Sequence, residues 1–296
     1  MMVYALFTRS LGAGVSMLIV SIIALNVIKP IYLLRNLGRQ KNNISPDQKS
    51  LSVMTWNMLY KNKNVGGVVA AIRSANADLV GLQELSVEVA NQLFNELKPR
   101  YPYQYLQPFE VDSGMGILSC YPFVKIEHQI NGIWIGAPQT IEITVEGQSI
   151  VFVNAHPIST PPVRPSLLPA TIRQRKLEIR NLIHFVNTQK RPVVMVGDFN
   201  TTPYNADYAL ITRCMNDAWE QSGHGMGNTF PGVNSFEREG KLLFSLIPKW
   251  LIRIDFIFHT FDITTSHAEI GVWDQNSDHR PVVARLNLPL SNRPTR

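Results

Sequence analysis

Apolar positions fall into three patterns along this chain. Residues 11–28 are consecutive, uncharged and mostly apolar, bounded by Arg9 and by Lys29-Pro30. At about 1.5 Å per residue such a run just crosses a bilayer core of about 30 Å, so it predicts one N-terminal transmembrane helix. No small-x-small cleavage site follows it, which favours an uncleaved anchor over a secretory signal. From residue 51 onward, short apolar runs of strand length alternate with stretches of helical period. Strands are expected at 51–56, 79–82, 103–106, 116–120, 141–145, 150–154, 193–196, 253–258 and 280–288, with Glu146-Gly147 as a hairpin turn. Helices are expected at 65–75, with Val65, Val68, Val69 and Ile72 inward, and at 87–97, with Val87, Ala90, Phe94 and Leu97 inward. A longer helix follows, carrying Ile172, Ile179, Ile183 and Val186 on its inner face. Residues 157–169 contain five prolines and read as an irregular loop, and no internal repeat is present.

Composition and charge refine this picture. A chain of 296 residues, 45% hydrophobic and 17% charged, buries a large core and is not disordered. Its net charge of +6 is concentrated near the start: Arg9, Lys29, Arg35, Arg39, Lys41 and Lys49 face only Asp47 before residue 50. That leaves 22 bases (28 less 6) against 21 acids (22 less 1), so the body is nearly neutral and lacks the broad basic field typical of nucleic-acid binders. Residues 36–50, rich in Asn, Gln, Lys, Gly and Ser, read as a linker. The expected division is 1–50 anchor and linker, 51–290 catalytic domain and 291–296 tail. Arg35, Arg39 and Lys41 favour a cytoplasmic body by the positive-inside rule, while a short N-terminal anchor can also face its domain outward. Cys120 and Cys214 have neither metal nor redox spacing and read as core residues.

The candidate chemistry lies where strands end. Asn57, Glu84, His156, Asp198 with Asn200, Asp255, and Asp278 with His279 occupy six such positions. One polar strand end means little; six mean a site. Asp198 and Asn200 are two apart, a spacing that in extended backbone directs both side chains to one volume.

These residues sit in Thr55-Trp56-Asn57, Gly81-Leu82-Gln83-Glu84, Gly116-Ile117-Leu118-Ser119, Asn154-Ala155-His156, Gly197-Asp198-Phe199-Asn200-Thr201-Thr202-Pro203, Arg253-Ile254-Asp255-Phe256-Ile257-Phe258 and Ser277-Asp278-His279-Arg280-Pro281. In order and spacing they resemble the endonuclease/exonuclease/phosphatase superfamily, the fold shared by deoxyribonuclease I-like nucleases, abasic-site endonucleases, neutral sphingomyelinases and inositol polyphosphate phosphatases. The likeness covers about residues 51–288. It implies an α/β fold of two packed β-sheets flanked by helices, a four-layer sandwich, here preceded by the anchor.

The resemblance also implies roles. Glu84 is the principal ligand of Mg²⁺, for which Mn²⁺ can substitute, with Asp278 and Asn57 nearby. Asp198 orients or deprotonates the attacking water, and Asn200 holds a phosphate oxygen. Asp255 fixes His279, whose other nitrogen serves phosphate or a proton. His156, where abasic-site endonucleases carry tyrosine, argues against abasic-site repair. Arg253-Ile254-Asp255, where inositol phosphatases carry Trp-x-Asp-Arg, argues against that class. Met58-Leu59-Tyr60 after Asn57 supplies no further acid, so a second metal is unsupported.

Together with His156-Pro157 and Thr229-Phe230-Pro231, these elements are similar to bacterial membrane-anchored members. The expectation is a single-pass membrane protein that hydrolyses phosphodiesters or phosphomonoesters, nucleic-acid or lipid-linked, with no obligate protein partner. Alternatives are a sphingomyelinase-like phospholipid phosphodiesterase, a nuclease on DNA or RNA, and an inactive anchored binding protein. The apolar stretch 242–252, with Phe244, Ile247 and Lys249-Trp250, is expected either to pack as core or to lie against lipid.

Overall fold

A computed structural model of the protein describes residues 49–126, 130–160, 165–232 and 248–289. The anchor and most of the linker lie outside these residues. Among the described residues no helix is long and apolar enough to cross a membrane.

Twelve strands form two six-stranded mixed sheets. The first has the order β11 (Thr264–Ile270), β12 (Val282–Asn287), β1 (Ser50–Asn57), β2 (Leu79–Gln83), β4 (Met115–Ser119), β3 (Tyr103–Gln107). The second runs β5 (Phe123–Lys125), β6 (Gly136–Val145), β7 (Gln148–His156), β8 (Val193–Asp198), β10 (Asp255–His259), β9 (Asn216–Asp217). β1 pairs with β2 and β7 with β8 in parallel; the other pairings are antiparallel.

Period two along the strands sorts side chains between layers. Leu51 and Val53 of β1, Ile150 and Phe152 of β7, and Val194 and Val196 of β8 meet in a core between the sheets. Met54 and Trp56 face the other way, onto α1 (Val65–Ala75) and α2 (Val87–Glu96). Val151, Val153, Val193 and Met195 face α3 (Leu168–Thr188). Both faces of these strands are covered, which is why they read as continuous apolar runs rather than alternating ones. Of two short helices, α4 (Ala206–Ile211) joins α3 on the outer face of the second sheet, while α5 (Ala218–Ser222) packs into the inter-sheet core against β11 and β10.

Several expectations need correction. β5, β9, β11 and both short helices escaped the periodicity because they are brief or half-exposed. In α1 the four inward residues are buried as expected. In α2 the buried face is Val89, Ala90 and Leu93, while Val87 and Phe94 are exposed. α3 begins at Leu168, directly after a 3-10 turn at Pro165–Leu167, so the proline-rich loop ends sooner than expected. Its inner face is rotated: Ile172 is exposed, Ile183 half-buried, and Arg175 and Glu178 are buried beside Ile179 and Val186. Both cysteines are free and half-buried rather than core.

A polar layer crosses the inter-sheet core beneath the strand ends. Gln83 Nε2 donates to Asn154 Oδ1 at 2.6 Å and to Thr55 Oγ1 at 3.1 Å. The Asn154 amide nitrogen donates to the carbonyls of Leu82 and Gly116, both at 3.0 Å. The sheets approach closely here, since a Cβ at Gly81 would lie 2.5 Å from Val196 Cγ2.

Candidate active site

The carboxyl ends of β1, β2, β7 and β8, the start of β10 and the turn before β12 all open on the same end of the sandwich. Asn57, Glu84, His156, Asp198, Asp255, Asp278 and His279 are therefore brought together. Asp255 pairs directly with Asp198 in the β10–β8 ladder.

Asp198 is the hub. Its Oδ1 accepts the backbone N–H of Asn200 at 2.9 Å. Three nitrogens converge on Oδ2: Asn57 Nδ2, which donates at 3.1 Å, and His156 Nε2 and His279 Nε2 at 3.6 and 3.7 Å. The two imidazole separations exceed direct hydrogen bonds, so each nitrogen keeps capacity for another acceptor. Gly197, at φ +150°, sits where a methyl group would run into the Ala155 carbonyl, so β7 and β8 close together just behind this carboxylate.

His279 is held on every side. Asp255 Oδ2 lies 2.9 Å from its Nδ1, Ser277 Oγ accepts its backbone N–H, and Trp56 Nε1 donates to its carbonyl. The Phe230 ring lies 4.8 Å away, centroid to centroid. Thr229 Oγ1 accepts the backbone N–H groups of Ile254 and Asp255, fixing the start of β10. Burial by itself would lower the imidazole pKa, but the carboxylates of Asp255, Asp198 and Asp278 outweigh it and hold the ring well above its ordinary value. Burial pushes Asp198 up, an effect opposed by His279 and His156 and reinforced by Asp255.

Glu84 follows β2 with φ 55°, a left-handed conformation that costs a residue with a Cβ about 1–2 kcal/mol. Its carboxylate is held by Asn57 Nδ2 at 2.9 Å and by the Tyr60 backbone N–H at 3.1 Å. Asn57 Oδ1 accepts from the Leu59 N–H at 3.0 Å, so Asn57 turns its amide nitrogen, not its oxygen, toward the acids. Burial first, and Glu84 second, raise the Asp278 carboxyl to about 6, with His279 opposing. Two oxygen donors that repel one another in a buried place suit a hard divalent cation. Asp198, Asp255 and His279 also present three ligand atoms within 4.8 Å of one another. Within that trio Nδ1 of His279 is already engaged by Asp255 Oδ2, which leaves Nε2 as the ring atom turned toward Asp198.

Asn200 departs from the expected geometry. At φ 49° the chain leaves the extended path after Asp198, and the side-chain amide donates to the Pro157 carbonyl at 3.0 Å. It thereby steadies the turn that follows His156. Glu178 does the same from α3, accepting the Ile158 N–H at 2.7 Å, and Arg175 pairs with Asp207 at 3.3 Å while donating to Thr160. These supports were not identified from sequence; a base and an acid three apart on an apolar face were their only signal. The 242–252 stretch is described only from Pro248 on. Trp250 is not free for lipid: its ring lies 4.6 Å from the Arg280 guanidinium and 5.1 Å from Trp273, and Ile252 bridges Phe230.

A buried acid–histidine relay beside a pair of carboxylates, at one end of two packed sheets, defines a hydrolase of phosphoester bonds. The chain belongs to the Endonuclease/Exonuclease/phosphatase family, whose model matches residues 54–279. Among solved structures it is similar to an endonuclease/exonuclease/phosphatase from Beutenbergia cavernae (20% identity, TM-score 0.62, covering 81% of this chain and 72% of that one). It is similar also to D. rerio TDP2 complexed with single-strand DNA product (17% identity, TM-score 0.63, 81% and 99%). A family protein from Bacteroides thetaiotaomicron matches at 16% identity, TM-score 0.60, 82% and 100%. No curated protein matches the sequence significantly.

Proposed function

We propose that the protein is a membrane-anchored, Mg²⁺-dependent phosphodiesterase or phosphomonoesterase whose single site is the cluster around Asp198. The observation that carries this reading is the convergence of Asn57, His156 and His279 on one Asp198 oxygen. The two imidazole nitrogens would face a phosphate oxygen or an attacking water, with Asp198 as the acceptor beside them. Glu84 and Asp278 would hold the cation, which supplies charge neutralisation of the phosphate and of the leaving oxygen. Asn57, whose two amide hydrogens go to Glu84 Oε1 and Asp198 Oδ2, orients both carboxylates. Burial raises the proton affinity of Asp198 toward that of a useful general base, while Asp255 keeps His279 charged for an anionic phosphate. Asn200 keeps one amide hydrogen beyond its bond to Pro157 for a phosphate oxygen.

The apolar run at 11–28 would make the protein a single-pass membrane protein, with body and tail as divided above. The neighbouring TDP2 structure holds a single-strand DNA product, which favours nuclease action as the second reading. The near-neutral body favours lipid-linked phosphates instead.

The test is turnover of bis-p-nitrophenyl phosphate, plasmid DNA, RNA and phospholipid vesicles with Mg²⁺ and with chelator. Asp198→Asn should lose about 10² to 10⁴ in rate while keeping the Mg²⁺-induced rise in melting temperature. Glu84→Gln should lose both. Turnover indifferent to chelator and to both substitutions would end the reading.

A further inference from the structure

Beside His156 the surface changes character. Residues 130–136, the chain leading into β6, carry no charge, and Gly136 pairs with His156 at the site end of the second sheet. Ile133 is 85% exposed and Ile135 52% exposed. The loop is nevertheless fastened: Gln174 Nε2 donates to the Ile133 carbonyl at 2.8 Å, Asn181 Nδ2 donates to the Asn131 carbonyl at 2.7 Å, and Trp134 packs on the core under α3. These bonds keep two large apolar side chains in water instead of letting them fold inward.

Gln174 and Asn181 are seven apart on α3, so the loop lies along that face of the helix. Next to it run Arg173, Lys176, Leu177 and Arg180, all exposed. Glu178, the one acid in α3, is buried and bound to Ile158. The exposed stripe therefore combines apolar tips with three cations that meet no acidic partner among the described residues. Glu110 and Asp112 precede Ser113, whose carbonyl lies beside Gly136.

We propose that residues 130–136 and the exposed stripe of α3 form a docking surface for an anionic lipid bilayer, setting the mouth of the site at the membrane surface. Apolar tips enter the interface while flanking bases meet acidic headgroups, the arrangement that binds peripheral elements to anionic leaflets. An anchor at 11–28, with Arg35, Arg39 and Lys41 beyond it, would keep the same chain near such a surface. The proposal deepens the hydrolase reading by assigning its substrate to the bilayer, yet its test does not depend on turnover.

That test labels full-length protein, with Cys120 and Cys214 replaced by serine, at Ile133→Cys with an environment-sensitive nitrobenzoxadiazole dye. A parallel label at Phe261→Cys marks the opposite end, since β10 starts at the site and Phe261 follows its far end. In phosphatidylcholine–phosphatidylglycerol vesicles, emission from position 133 should shift to the blue and be quenched by doxyl lipids, while position 261 should stay water-like. Glutamate at Arg173, Lys176 and Arg180 together should abolish the shift, with an unchanged melting temperature as the control for folding. Water-like emission at 133, quenching at 261 instead, or a shift that survives charge reversal would overturn the proposal. So would a shift in detergent that grows with protein concentration, which would make a second copy of this chain the occupant.

Discussion

At Asp198 burial and the Asp255 charge raise the carboxyl while His279 and His156 lower it, a balance that would let one carboxylate accept a proton beside two histidines. Asp255 acts one step further back, through His279. Because its carboxylate holds His279 above the ordinary imidazole value, the imidazolium contributes stability fully below that ordinary value and loses it as pH rises through the folded one. Asp255→Asn leaves burial unopposed by its nearest charge, so the His279 pKa should fall. The alkaline limb of kcat/KM on bis-p-nitrophenyl phosphate should then move to lower pH, with a rate loss of about 10² to 10⁴. An unmoved limb would detach Asp255 from the titration. The residues at strand ends were legible because a buried apolar run seldom ends in a carboxylate or histidine without cause. The directions of the Asn57 and Asn200 amides were not, since they depend on the Leu59 N–H and the Pro157 carbonyl, partners that only the folded chain brings near.

Among the elements, α3 teaches most about what a pattern can hide. Its periodicity gave the helix but not the buried face, because Arg175 and Glu178 are buried there as partners of Asp207 and the Ile158 N–H, and no hydropathy count scores a satisfied charge as inward. The strands of the two sheet centres were legible for the opposite reason: both of their faces meet apolar layers. Edge strands β5 and β9 have too few buried positions to register. Glu178 ties α3 to the turn after His156, and burial raises its carboxyl above the ordinary value. A group so shifted binds its proton more tightly in the folded state, so its ionisation erodes stability as pH rises through the folded value. Glu178→Gln keeps an oxygen for Ile158 and removes that erosion. Its melting temperature should match or exceed that of the native chain at pH 8, and the difference should shrink toward pH 4.5, the ordinary value. Glu178→Ala should instead lose about 1–3 kcal/mol at every pH, because the Ile158 N–H is left without its acceptor. A glutamine variant weaker than native at pH 8 would show that the charge itself is needed.

For the whole molecule the decisive geometry is that β1 enters at one end and delivers Asn57 to the other. Lys49 is fastened to the body, since its carbonyl accepts the Leu288 N–H at 2.9 Å. The eight residues of β1 separate that entry from the site by about 26 Å. If the apolar run at 11–28 spans a bilayer and the site works on the same bilayer, the length of chain between them, residues 29–49, limits how far the site can reach. Twenty-one residues can extend to about 70 Å, and as a coil they span about 25 Å, so the native length suffices. Deleting residues 36–45 leaves eleven, whose full extension is about 40 Å and whose coil span is about 18 Å. Both variants should sediment with membranes, because the apolar run is intact. The shortened chain should hydrolyse bis-p-nitrophenyl phosphate at the native rate, since no site residue is touched. Its turnover of phosphoesters embedded in the same vesicles should drop severalfold, because eleven residues reach the distance from entry to site only when stretched well beyond their coil span. Equal turnover on vesicles by both chains would mean that the site does not work against its own membrane, and a soluble native chain would remove the anchor altogether.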